Sequence, residues 1–221
     1  MLFNALAAVT LLATGAQAHY RLNYPLPRGP FVSNLQPNFC GGYDDVTTNR
    51  TTFSLNDGFF RIRQGHADWS ASVLISTVPN PNTFDSFNTG GAAGAAPQLA
   101  REWATEALTG NFCIPLPLGD TGIPGVVDGA NVTIQIVLTG GDGQLYQCAD
   151  LTLSATHVTP ADEVAACQNQ TAEDTHHAAA PSETAGAGNG AGSGALSQFS
   201  LPIVSGLVAG LAGVGLAIAG L

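Results

Sequence analysis

The amino-acid sequence predicts an all-β chain folded as an antiparallel β-sandwich, and two observations carry that expectation. Between residues 19 and 160 the apolar side chains fall in short runs, each stopped by Gly, Pro, Asn or Asp. That is the spacing of strands and turns rather than of long helices. One run also alternates: Val132, Ile134 and Ile136 are separated by Thr133 and Gln135, the pattern of a strand with one buried and one wet face. The other clear runs are Phe59–Arg63, Ser70–Ser76 and Leu145–Leu153. Thr139-Gly140-Gly141-Asp142-Gly143 joins the alternating run to the last one, with glycines free to take the positive φ of a hairpin turn. Ala100 to Leu108 reads as a short helix with Arg101, Glu102 and Glu106 turned to water, and residues 79–98 read as one long loop.

Composition narrows the partners. Lys and Arg number 6 against 16 Asp and Glu, a net charge of −10 with no lysine at all. Nucleic acid is excluded, because such a binder needs a basic surface. An anionic membrane face would repel the chain, so any membrane attachment must be covalent or apolar. Four cysteines, Cys40, Cys113, Cys148 and Cys167, form an even set with no zinc-site spacing. They predict two disulfides in an oxidising compartment. Of the three possible connectivities, Cys40–Cys148 would tie an early loop to the last core strand and leave Cys113–Cys167. Three N-glycosylation sequons begin at Asn49, Asn131 and Asn169.

Both ends read as processing signals. Residues 1–18 form a signal peptide, an apolar stretch ending in Ala16-Gln17-Ala18, a small-x-small cleavage site. Residues 19–160 form the folded domain. Residues 161–195 form a stalk rich in Ala, Gly and Ser, with too few large side chains to build a core. Residues 196–221 are an uncharged apolar tail with no basic residue after it. This fits a GPI signal better than a membrane span. Asn189, in Asn189-Gly190-Ala191, is the expected anchor site, with Ser193 second. The chain is then expected on the outer leaflet of the plasma membrane, or in the cell wall.

Cleavage after Ala18 makes His19 the first residue. Its free α-amine and ring Nδ1 can chelate one metal ion, and a second imidazole completes a three-nitrogen site suited to copper. His66, in the turn-like stretch Gln64-Gly65-His66-Ala67-Asp68, supplies that imidazole. His157 lies past the last strand, and His176-His177 lies at the start of the stalk. Asp142, in the hairpin, and Asp128, before the alternating strand, are the carboxylates that could join the metal. They sit at opposite ends of that strand.

Several stretches together carry a resemblance. They are His19, Tyr24-Pro25-Leu26-Pro27-Arg28-Gly29-Pro30, Asn38-Phe39-Cys40-Gly41-Gly42, Asn49-Arg50-Thr51, Asp128 through Gln135, and Gly143 through Asp150. The region from residue 19 to about 155 resembles fungal copper-binding proteins related to lytic polysaccharide monooxygenases. More narrowly, it resembles their GPI-anchored copper-acquisition branch. The resemblance implies an immunoglobulin-like sandwich and one copper ion in a histidine brace, His19 plus His66. It also implies an aspartate ligand that the oxidative enzymes lack, here Asp142, with Asp128 second. Gln144-Leu145-Tyr146 resembles the strand that lines the copper in the oxidative enzymes, whereas a strand tyrosine is ordinarily a core residue.

Three functions follow as expectations. The first is a surface protein that captures Cu(II) without catalysis and hands it on, with a membrane copper transporter as a partner. The second is an oxidative enzyme acting on polysaccharide. The third is a structural wall glycoprotein. A carboxylate beside the copper favours capture, because it is a hard anionic donor occupying space that oxygen or substrate would need.

Overall fold

The computed structural model describes residues 19–171. Two sheets pack face to face. The first is four-stranded, in the order β1 (Tyr20–Tyr24), β3 (Phe59–Gln64), β6 (Gly110–Pro115), β9 (Gln170–Thr171). The second is five-stranded, in the order β2 (Thr51–Ser54), β8 (Gly143–Ser154), β7 (Asn131–Gly140), β4 (Trp69–Ser76), β5 (Leu99–Glu106). A short helix, α1 (Ala161–Ala165), precedes β9. The architecture is the predicted sandwich. It is not wholly antiparallel, since β2 runs parallel to β8. The core lies between the sheets, where Tyr20, Leu22 and Ile62 of one face Ile134, Ile136, Leu138 and Leu151 of the other, all at most 2% exposed.

Three expectations need correction. Residues 99–106 form the edge strand β5 against β4, not a helix. Their helix propensity is a weak preference, and pairing with an open sheet edge overrides it. Next, the outer face of β7 is not wet: Thr133 and Gln135 are 1% and 0% exposed. A layer of loops covers that face. Phe39, Cys40 and Phe87 form a second apolar cluster there with Cys148. Finally, the stretch from 161 to 171, read as stalk, carries α1, Cys167 and β9.

The disulfides are Cys40–Cys148 and Cys113–Cys167, the pairs that the sequence reading chose. Cys40–Cys148 pins the loop layer to β8. Cys113–Cys167 pins the segment after β8 to β6. The signal peptide, Asn189, Ser193, His176-His177 and the apolar tail lie outside the described residues.

Beneath the loop layer sits a buried ion pair. Arg28 Nε and one terminal nitrogen donate to the two carboxylate oxygens of Asp150, at 3.1 and 2.9 Å, and the two side chains are 1% and 0% exposed. The other terminal nitrogen donates to the carbonyls of Tyr43, Asp44 and Pro81. Thr133 Oγ1 and the Thr47 backbone N–H donate to Asp150 at 2.6 and 2.9 Å. One guanidinium therefore fastens three loop segments to the sheet.

Tyr20 gives the fold an alkaline limit. Its ring is buried, and its hydroxyl donates to the Ile136 carbonyl across the core at 2.7 Å. Burial pushes this phenol well above its usual value of 10.0. The folded chain therefore holds the proton more tightly than the unfolded chain does. Stability from this group is complete below pH 10 and falls as pH rises beyond it, by up to ~1.4 kcal/mol per pH unit. Urea midpoints between pH 8 and 11.5 should drop above pH 10, and more shallowly in Tyr20→Phe. Tyr20 phenolate absorbance appearing in still-folded protein would overturn this.

Candidate metal centre

Strand register builds one end of the molecule. β1 pairs antiparallel with β3, Tyr20 opposite Gln64, so His19 falls beside Gly65. A Cβ on Gly65 would stand 3.7 Å from the His19 carbonyl oxygen. His66 follows Gly65 in the turn that carries the chain from β3 to β4, and it is half-buried. β4 then pairs with β7, Ser70 opposite Thr139. This brings the β7–β8 hairpin to the same end. Gly140 pairs with Gly143, leaving Gly141 and Asp142 as a two-residue turn with φ of 86° at Gly143. His19, His66 and Asp142 thus share one rim.

The other candidates fall elsewhere. Asp128 is at the opposite end, where its Oδ1 accepts from the Ala155 N–H at 2.7 Å. His157 also follows the far end of β8. The sequon asparagines Asn49, Asn131 and Asn169 are all exposed. The hydroxyl of the Asn131 sequon, on Thr133, is buried and committed to Asp150. Tyr146 is not a core residue. It lies on the outer face of β8 with its ring 4.8 Å from that of Phe84, and its hydroxyl donates to Gln144 Oε1. Burial raises its pKa above the usual 10.0.

The residues around His19 were not legible in the sequence. Gln36, 1% exposed, pairs its Oε1 with His19 Nδ1 at 2.9 Å and donates from Nε2 to the Tyr20 carbonyl at 2.7 Å. The Phe31 ring stands at 77° to the imidazole with centroids 6.2 Å apart, and the Arg21 guanidinium lies over the Phe31 ring at 4.7 Å. Gln147 supports β1 from within, accepting from the Leu22 N–H and donating to the Tyr20 carbonyl. These groups come from loops and from polar strand positions, which no hydrophobic period marks.

Among the described residues, no three His, Cys, Asp or Glu side chains gather closely enough to hold a metal ion. The donor chemistry nonetheless suits copper. Two imidazoles and a carboxylate reach one rim, and a chain starting at His19 adds an α-amine, which is not a side chain. Asp68, beside His66, and Glu106, at the end of β5, share a groove at this end with Trp69 and Thr139. Their negative charge favours an arriving cation.

Fold and rim together define a two-sheet β-sandwich with a histidine pair at the end where its first strand begins. The chain belongs to the copper acquisition factor BIM1-like family, which matches residues 17–172. It is 36% identical over 165 residues to the copper acquisition factor BIM1 of Cryptococcus neoformans var. grubii, covering 75% of this chain and 72% of that one. It is also 36% identical to the protein of that name from C. neoformans var. neoformans, over 70% and 68% of the two chains. The lytic polysaccharide monooxygenase-like protein X325 of Yarrowia lipolytica is 31% identical, over 68% of this chain and 54% of the other.

Proposed function

We propose that this chain captures one Cu(II) ion at the cell surface and hands it on, without polysaccharide cleavage. The observation that carries the reading is the β1–β3 register, which sets His19 beside Gly65 and next to His66, in a chain whose relatives are named for copper acquisition. The ligands are the His19 α-amine and ring, the His66 ring and the Asp142 carboxylate. Phe31 shields one side of the His19 ring. The copper is cargo, and its receiver is a membrane copper transporter. A GPI anchor near Asn189 keeps the protein on the outer leaflet. Binding weakens as pH falls, because the amine and imidazoles must give up protons to the metal's advantage.

One experiment tests the reading. Protein released from cells by phosphatidylinositol-specific phospholipase should begin at His19. It should bind one Cu(II) with the paramagnetic resonance signature of a mixed nitrogen–oxygen site. A first residue of Ala18 or Tyr20 would sink the proposal, since neither leaves a free amine on a histidine. So would release of oxidised oligosaccharides from chitin, glucan or cellulose in the presence of a reductant, if His66→Ala abolished it.

A further inference from the structure

Gln36 sits where it can control the nitrogen that copper needs. Its side-chain amide has one oxygen and one NH2, and the neighbours decide which faces which. The Tyr20 carbonyl can only accept, so the group 2.7 Å from it must be Nε2. Oε1 is then the atom 2.9 Å from His19 Nδ1. An amide oxygen cannot donate, so Nδ1 must carry the ring's hydrogen. The Gln36 backbone is fixed as well, because its carbonyl accepts from the Tyr146 N–H at 2.8 Å. With 1% of the residue exposed, solvent cannot easily replace the contact.

Chelation together with the α-amine requires a lone pair on Nδ1, the atom that Gln36 holds as N–H. We propose that Gln36 is a latch on His19: it keeps the metal-free ring in the Nδ1–H tautomer, and copper loads only as Nδ1 leaves Oε1. On loading, the ring's hydrogen passes through solvent to Nε2, so a neutral ring remains neutral. The latch makes the copper-loaded state less favourable by about one buried hydrogen bond, a factor of roughly five- to ten-fold in affinity. Cargo held under such a counterweight is released more readily. This deepens the copper reading and rests on it for the loading step. The tautomer itself belongs to the metal-free protein.

The test uses the full mature chain, labelled with nitrogen-15 and stripped of metal. Long-range proton–nitrogen spectra should show His19 as the Nδ1–H tautomer. Gln36→Met removes the acceptor but leaves the Tyr20 carbonyl its second donor, Gln147 Nε2. It should shift the ring toward Nε2–H and tighten Cu(II) binding roughly five- to ten-fold, with faster loading. Gln36→Leu, which lacks the acceptor as well, should shift the tautomer and tighten binding in the same direction. An Nε2–H ring in metal-free wild-type protein that does bind copper overturns the latch alone, and this measurement stands even if both variants fail to fold. A Gln36→Met protein with shifted tautomer but unchanged affinity and loading rate also overturns it. A wild-type chain that takes up no copper sinks the copper reading, and the loading half of this proposal with it.

Discussion

A His66→Ala protein binds Cu(II) at least ~100-fold more weakly than wild type. Losing a mere outer partner of a ligating histidine already costs about 10–100-fold, and His66 is proposed as a direct ligand. His19→Ala should lose as much, since it keeps the amine but removes the chelate ring. Asp142→Ala should weaken binding less and change the resonance spectrum of the bound ion, because an anionic oxygen donor leaves. Asp128→Ala and His157→Ala, both at the far end of the sandwich, should change neither. Chelator-competition titrations across this set decide the matter. Unchanged affinity in His66→Ala, or loss in Asp128→Ala equal to that in Asp142→Ala, would defeat the assignment.

Stability should depend most sharply on Arg28. Arg28→Met leaves the Asp150 carboxylate buried with only Thr133 and the Thr47 N–H to satisfy it. Breaking one side of a buried pair in this way costs about 3–5 kcal/mol. Adding Asp150→Asn should recover much of that loss, because the stranded charge disappears, the amide oxygen can accept from the Thr47 N–H, and the amide NH2 can donate to Thr133 Oγ1. Urea unfolding of the two single variants and the double variant measures the coupling. Strictly additive losses would show that the pair does not act as a unit. The loop that Arg28 fastens continues to Phe31 and Gln36, so Arg28→Met should also blur the His19 environment before the fold is lost.

The sheet interior was readable because burial leaves a period in the sequence. Val132, Ile134 and Ile136 mark β7, and the glycines around Asp142 mark the turn that carries it to the histidine rim. That turn is also why Asp142 ranked above Asp128. Strands without such a signal were missed. β1 alternates over only five residues, and β9 pairs through two. β5 was misread because Ala-Arg-Glu-Trp-Ala-Thr-Glu favours a helix in isolation. A strand at the edge, with exposed Trp103 and Ala104, has no apolar face to declare itself. The covered face of β7 was hidden for another reason. Thr133 and Gln135 are polar, and only the loop layer above them makes them interior. Gln36 is illegible in the same way, because its importance comes from two neighbours, His19 and Tyr20, at positions 16–17 residues away.

The short strand β9 has a consequence for orientation. It runs antiparallel to β6, with Thr171 opposite Gly110, and Gly110 in turn opposite Gln64. The described chain therefore ends travelling toward the rim from which it started. A tether continuing beyond Thr171 would leave the domain at the same pole that carries His19 and His66. A tether attached there would crowd the rim of His19 and His66 against any bulky insoluble polymer, whereas the opposite pole, with Asp128 and His157, would stay clear of it.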